Sequence, residues 1–356
     1  MERRRSRKIM LGWIPVGGDA PITVQSMTNT PTEDVSATLR QIERMHAAGC
    51  DIVRVALPDL DSCEALRKIV KASPVPVVAD VHFDHRIALE ALKAGAHGLR
   101  INPGNIGDDR KVREVARAAR EAGVPVRVGA NAGSLPRDLL ERYGSPTPEA
   151  LVESALREVA MLEREGFDLI KISVKASTVT ATIEANRIIA DKVDYPLHLG
   201  ISEAGPVWSG TIKSAVGIGA LLAQGIGDTI RVSLAGDPVE EVRVGRAILR
   251  SLGLSEVGPD IVACPTCARA RIDVAALAEE LERRLKDSRV SLRIAVMGCS
   301  VNGPGEAREA DIGIAGGKTR GLLFRGGEPV GWFPKEELLE VLLREVERVS
   351  REGSSG

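Results

Sequence analysis

Short runs rich in β-branched residues recur eight times between Ile22 and Leu234: ITVQSMT, DIVRVAL, VPVVADVH, GLRINPG, VPVRVGAN, DLIKISVK, PLHLGIS and TIRVSL. Between them lie amphipathic stretches of helical length, such as SATLRQIERMHAAG, HRIALEALKAG and DDRKVREVARAAREAG. Many close on a glycine suited to a left-handed helix end, at Gly49, Gly95, Gly123, Gly166 and Gly253. Eight strand–helix units over about 250 residues predict a (β/α)8 TIM barrel. A doubly wound open sheet has the same local pattern, because local patterning does not encode closure. The repeat stops after Gly253, which divides the chain into an expected barrel domain, 1–253, and a small α+β domain, 254–356. In the second part the expected elements are a helix over AALAEELERRLKDS, a strand over SLRIAVMG, another near GLLFRGG and a last helix over PKEELLEVLLREVERVS. REGSSG is set aside as a tail.

Composition narrows the function classes. A formal net charge of −1 argues against bulk attraction to nucleic acid or an anionic membrane. No apolar run reaches membrane-spanning length, and the charged MERRRSRK start leads into no signal-peptide core. Five cysteines in 356 residues suggest a reducing, cytoplasmic setting, with thiols used for metal or catalysis if used at all.

Parallel barrel strands are covered on both faces and are expected to be apolar. Here Arg54, Arg100, Arg127, Lys171 and Arg231 interrupt them, and Lys175 lies just beyond one. A buried unpaired charge costs several kcal/mol, so each needs a counter-charge such as Asp80 or Glu203, water, or a ligand. Strand-end carboxylates are fewer than the cations. Together with Asn102, Asn131 and Ser233, the cations suit a small multiply charged anion at the barrel mouth. Glu203, in GISEAG, is the best-placed carboxylate for acid–base work. His82 and His198 are open to proton-transfer or structural readings, while Cys50 and Cys63 read as buried fillers.

Three cysteines fall in the second part. The pair Cys264 and Cys267 in CPTC is ambiguous by itself among redox dithiol, zinc and iron–sulfur. No histidine lies in this part, so Cys264, Cys267 and Cys299 have no conventional fourth zinc ligand. Three thiolates plus one different ligand suit a 4Fe-4S cluster. In CSVNGPGE the turn through Asn302 can bring Glu306 back beside Cys299 as that ligand; the same residue reads equally as a helix cap.

VACPTCARARIDV followed by VMGCSVNGPGEAREADIGI closely resembles the bacterial 4-hydroxy-3-methylbut-2-enyl diphosphate synthase family of non-mevalonate isoprenoid biosynthesis. VQSMTNT, VADVHFD, RINPGNIG, NAGSL and HLGISEAG extend the resemblance from about Pro21 to Phe333. It implies an oxidoreductase whose barrel binds 2-C-methyl-D-erythritol 2,4-cyclodiphosphate and whose C-terminal domain carries a 4Fe-4S cluster on Cys264, Cys267, Cys299 and Glu306. It further implies substrate contacts from Arg54, Arg100, Arg127, Asn131, Lys175, Arg231 and Ser233, with Glu203 beside the substrate and Asn302 near the cluster. Electrons would come singly from reduced ferredoxin or flavodoxin. Plant-type members of that family insert a further domain, whereas here LSEVGPDIVA alone joins the two parts. Those ten residues span at most about 35 Å and start at the foot of the barrel. A homodimer in which each cluster domain caps the partner's barrel is therefore expected. The alternative is a non-redox phosphate-binding barrel resembling dihydropteroate synthase, with a structural zinc.

Overall fold

The computed structural model describes residues 2–102, 106, 109–176, 178–286, 288, 290–301 and 303–353. The chain forms two compact units, one through Ser255 and one from Glu256.

The first unit opens with an antiparallel hairpin of β1 (Ile9–Leu11) and β2 (Ile14–Val16). Eight parallel strands follow: β3 (Thr23–Met27), β4 (Ile52–Leu57), β5 (Val77–Val81), β6 (Gly98–Arg100), β7 (Val126–Val128), β8 (Ile170–Ile172), β9 (His198–Leu199) and β10 (Thr229–Ile230). Their order is β8-β7-β6-β5-β4-β3-β10-β9. The two ends meet where Ile172 pairs with Leu197 and its N–H donates to the Pro196 carbonyl at 2.9 Å. The sheet therefore returns on itself as a barrel, which rules out the open doubly wound alternative. All eight expected runs form strands, and Gly49, Gly95, Gly123, Gly166 and Gly253 all have positive φ.

Strand alternation explains the misplaced cations. Val53, Val55, Val77, Ala79, Leu99, Val126, Val128, Ile170, Ile172, Leu199 and Ile230 belong to one hydrophobic cluster with the surrounding helices. The intervening residues point the other way, into the barrel: Gln25, Arg54, Asp80, Arg100, Arg127, Lys171, His198 and Thr229. The hydrophobic core is thus a jacket between strands and helices, around a polar interior. The hairpin forms a second small cluster of Ile9, Leu11 and Val16 with Ile52 and Val78.

The opening charges are not a solvated run. Arg3 and Ser6 donate to Asp228 Oδ1 at 3.2 and 2.8 Å, and the Leu197 N–H donates to Asp228 Oδ2 at 2.8 Å. Asp228 is 2% exposed. Asp228→Ala would leave the Ser6 hydroxyl and the Leu197 N–H without this acceptor and remove the counter-charge of Arg3 and of Arg4, the latter 3.8 Å away. A loss of about 3 kcal/mol in urea unfolding is expected, with Asp228→Asn milder because it can still accept.

The second unit is a five-stranded sheet in chain order: β11 (Asp260–Ala263), β12 (Arg293–Met297), β13 (Ile312–Gly316), β14 (Arg320–Arg325) and β15 (Glu328–Pro334). The first three are parallel and the last two antiparallel. Helices Val274–Leu285, Gly303–Arg308 and Leu338–Gly353 complete it, around a core that includes Val274, Leu281, Ile294, Val296, Ile314 and Leu342. Three strands had no counterpart in the sequence reading: β11 lies inside the supposed connector, β13 is glycine-rich, and β15 carries two prolines. Gly313 in β13 has a packing reason, since a Cβ there would lie 2.7 Å from that of Ala307. The final helix continues to Gly353, so the REG of the supposed tail is helical.

Candidate active site

A cavity of about 970 Å³ opens at the carboxyl ends of the barrel strands. It brings together Arg54, Arg100, Arg127, Asn131, Lys175, Glu203, Arg231 and Ser233, whereas Lys171, expected with these cations, does not line it. Asn102 and His82 also line it.

The cations divide by counter-charge. Arg54 is 8% exposed and lies 3.4 Å from Asp80 Oδ2, with two further N–H contacts to the Met27 sulfur. Burial pulls its guanidinium down to about 10; Asp80 opposes this, and Arg231 and Arg100 add to it. Arg100 reaches Asp80 Oδ1 at 3.2 Å and His82 Nε2 at 2.6 Å. Burial works against ionisation of Asp80, yet Arg54, a hydrogen bond with His82, and Arg100 and Arg127 together hold its carboxyl well below the usual range. Arg231 has Glu241 at 3.7 Å. Arg127 and Lys175 are buried and, among the described residues, have no ion pair. Burial, then neighbouring arginines, pushes both well below their ordinary values. Deeper in the barrel, Lys171 Nζ and both His198 ring nitrogens are buried without a hydrogen-bond partner among the described residues. Lys171 is drawn down to about 7, first by burial and then by Arg127.

Asp80 therefore serves as a counter-charge, as expected. Glu203 does not: it forms no ion pair among the described residues. It has φ +51, and Phe83 across the mouth has φ +64. These are the two non-glycine residues with positive φ among those described, and both line the cavity.

Sequence reasoning missed two buried carboxylates on the outer helices. Glu241, in Pro238–Ser251, accepts from Ser26 Oγ at 2.8 Å and from the Leu234 N–H at 3.0 Å, fixing the segment that carries Arg231 and Ser233. Glu158, in Pro148–Glu163, accepts from the Gly129 N–H at 2.8 Å. The available signal was a glutamate on the buried face of each helix. Burial pushes Glu158 up to about 8, against the pull of the Gly129 N–H. The folded value lies above the ordinary 4.5, so this group's stability contribution is complete below pH 4.5 and is lost as pH rises through 8. Glu158→Gln, which can still accept from Gly129, should flatten that part of the melting-temperature profile and leave the variant more stable than the parent at alkaline pH.

In the second unit Cys264 follows β11 and Cys299 follows β12, adjacent parallel strands. The Gly298 N–H donates to Cys264 Sγ at 3.1 Å. Cys267 is exposed; the backbone N–H and guanidinium of Arg269 hold its thiol below the ordinary value, while Cys299 acts in the opposite sense. Glu306 is exposed in the first turn of Gly303–Arg308. Asn302 lies outside the described residues. Among the described residues no three of His, Cys, Asp or Glu stand close enough for a single metal ion. The thiol set fits an iron–sulfur cluster on the chemistry of its donors: soft ligands on neighbouring strand ends, with N–H donors aimed at sulfur. Cys50 and Cys63 are buried in the barrel jacket, and burial pushes the Cys50 thiol up to about 12.

A closed parallel barrel with a charged cavity at its mouth places this chain in the class of TIM-barrel enzymes. Residues 6–246 match the GcpE TIM-barrel domain and residues 260–348 the GcpE protein C-terminal domain. Proteins named 4-hydroxy-3-methylbut-2-en-1-yl diphosphate synthase (flavodoxin) from Geobacter sulfurreducens and Caldanaerobacter subterraneus are 57% and 55% identical, each over 98% of this chain and 99% of the relative. The chain belongs to the GcpE family, that of the 4-hydroxy-3-methylbut-2-en-1-yl diphosphate synthases, and is an enzyme. Dihydropteroate synthase from Yersinia pestis shares 14% identity at a TM-score of 0.51, over 69% of this chain and 98% of its own. Type I 3-dehydroquinate dehydratase from Clostridium difficile shares 15% at 0.50, over 70% and 98%. These show the fold alone, and the likeness to dihydropteroate synthase goes no further. No helix among the described residues is long and apolar enough to cross a membrane.

Proposed function

We propose that the chain converts 2-C-methyl-D-erythritol 2,4-cyclodiphosphate to 4-hydroxy-3-methylbut-2-enyl diphosphate in the cytoplasm. The observation that carries this reading is the joint presence of a cation-lined barrel mouth and three cysteines in two strand-end loops of a second unit. The overall change takes up two electrons and one proton, releases water and opens the cyclic diphosphate, so a dianion becomes a trianion.

Arg54, Arg100, Arg127, Arg231 and Lys175 would hold the phosphoryl oxygens, with Asn131 and Ser233 completing the contacts. Arginine forks match such oxygens pairwise and keep their charge when buried. Arg127 and Lys175 have no ion pair among the described residues, so a ligand anion would offset their burial, and the extra product charge falls where cations exceed carboxylates. Asp80 and Glu241 hold Arg54, Arg100 and Arg231 in place before the ligand arrives. Glu203, with no ion pair among the described residues and on a strained backbone at the mouth, would give a proton to the departing oxygen. Cys264, Cys267, Cys299 and Glu306 would hold the 4Fe-4S cluster. When bound, the cluster would supply single electrons for the reductive loss of the hydroxyl. The donor would be reduced flavodoxin, as in the relatives' name, or ferredoxin. The barrel would thus be the substrate domain and the C-terminal unit the cluster domain, joined across a homodimer in which each cluster domain caps its partner's barrel.

The test is protein purified without oxygen. Iron and sulfide in 4Fe-4S proportion, with turnover of the cyclodiphosphate under dithionite, are expected. Zinc without sulfide would overturn the reading, and a fully active monomer in sedimentation would overturn the dimer.

A further inference from the structure

We infer that the cationic rim beside the cysteine loops is the docking surface for an acidic one-electron carrier protein, an inference that rests on the proposed redox function. Two loops carry it. CPTCARAR leaves β11 and contains Arg269 and Arg271; GGKTR joins β13 to β14 and contains Lys318 and Arg320. All four cations are exposed, and neither loop contains a carboxylate.

The two loops meet at the cysteines. The Arg271 N–H donates to the Gly298 carbonyl at 2.7 Å, one residue before Cys299. A Cβ on Gly316 would lie 2.6 Å from that same carbonyl oxygen and 3.0 Å from Ile272 Cγ1. A Cβ on Gly317 would lie 3.1 Å from the Trp332 ring. Both cation-bearing loops therefore pack against the backbone from which Cys299 projects, and electrons tunnel usefully only over short separations.

Several cations of the unit away from these loops are paired. Arg283, Arg284, Arg325 and Arg351 each have a glutamate partner. Arg271, Lys318 and Arg320 have no ion pair among the described residues. Of the carboxylates at this end, Asp273 is engaged as the cap of its helix, accepting from Ala276 N at 3.0 Å. Glu336 and Glu337 follow Pro334, the residue paired with Arg320, and Glu306 and Glu309 follow Cys299; among the described residues none of the four forms an ion pair with these cations. Two exposed apolar side chains join the rim, Val301 at 66% and Trp332 at 54%. Unpaired cations around a small apolar centre suit a transient protein contact: the charges steer an acidic partner, and the apolar groups exclude water once it docks. A redox partner that must leave after each electron needs this kind of interface rather than a large apolar one. The carrier is oxidised by one electron per visit, and two visits complete a turnover.

The experiment uses the anaerobic, full-length holoprotein with oxidised flavodoxin as the binding probe, and compares the parent with a Lys318→Glu/Arg320→Glu double variant. Flavodoxin affinity should fall with salt in the parent and by about tenfold in the variant. Flavodoxin-driven turnover should fall in step, while iron content and dithionite-driven turnover stay unchanged. Unchanged flavodoxin binding in the variant would overturn the inference. So would an equal loss of dithionite-driven turnover, which would assign the rim to the reaction site or to a second copy of this chain. A parent that turns over with dithionite but does not bind flavodoxin refutes the docking surface and leaves the proposed function standing. A parent without dithionite-driven turnover refutes that function, whereas a salt-sensitive loss of binding in the variant would still support the surface.

Discussion

Replacing Arg127 by methionine is expected to collapse substrate binding while making the ligand-free protein more stable. The two effects have one origin. Arg127 is 6% exposed, and among the described residues it has no carboxylate partner. In the free protein its burial is a cost that Asp80 offsets only in part and an incoming anion offsets further; methionine of similar length removes that cost. Removing one member of a buried charge pair weakens binding by about 2–5 kcal/mol, or roughly 30-fold to several-thousand-fold in affinity for the cyclodiphosphate. The melting temperature of the ligand-free variant should rise. Arg54→Met provides the contrast, because it removes the counter-charge of Asp80 at 3.4 Å and should lower both binding and melting temperature. A fall in stability for Arg127→Met would mean that this guanidinium is satisfied within the protein.

The other large effect is expected at Cys299. Cys299→Ser should reduce cyclodiphosphate turnover to background and remove most iron and sulfide from anaerobically prepared protein, because a hard hydroxyl is a poor substitute for a soft thiolate. The barrel should be untouched, so binding of the cyclodiphosphate to the variant should persist. Cys50→Ser is the control: that thiol is packed in the barrel jacket, and its loss should cost stability alone. Full iron content in Cys299→Ser would remove Cys299 from the ligand set.

The barrel was legible because its signals are local and repeated: a β-branched run, a helical period and a terminal glycine. The cations stood out because they broke that pattern, and alternation along each strand then placed Arg54, Arg100 and Arg127 in the interior. Glu158 and Glu241 gave only a weak signal, a glutamate on the buried face of each helix, which does not say what the carboxylate reaches. Strand β13 was hidden for another reason. Its glycines lower β propensity and are present because Ala307 comes too close for a side chain, which is a tertiary constraint. The hairpin ahead of the barrel was not legible either, because its two strands are three residues each and follow a charged run whose anchor, Asp228, is distant in sequence.

That clasp has a consequence for biogenesis. Arg3 and Asp228 are 225 residues apart in sequence, so the N-terminal segment emerges from the ribosome long before its anchor is synthesised. Until then the hairpin's apolar residues can cover Ile52 and Val78 but cannot be locked down, and the barrel cannot close without β9 and β10. Contacts of such long range fold slowly and leave unpaired strand edges exposed in the interim. Variants weakened at Asp228 should therefore aggregate during synthesis in greater proportion than their equilibrium stability alone would suggest, and chaperone supply should affect their yield more than that of variants in the C-terminal sheet.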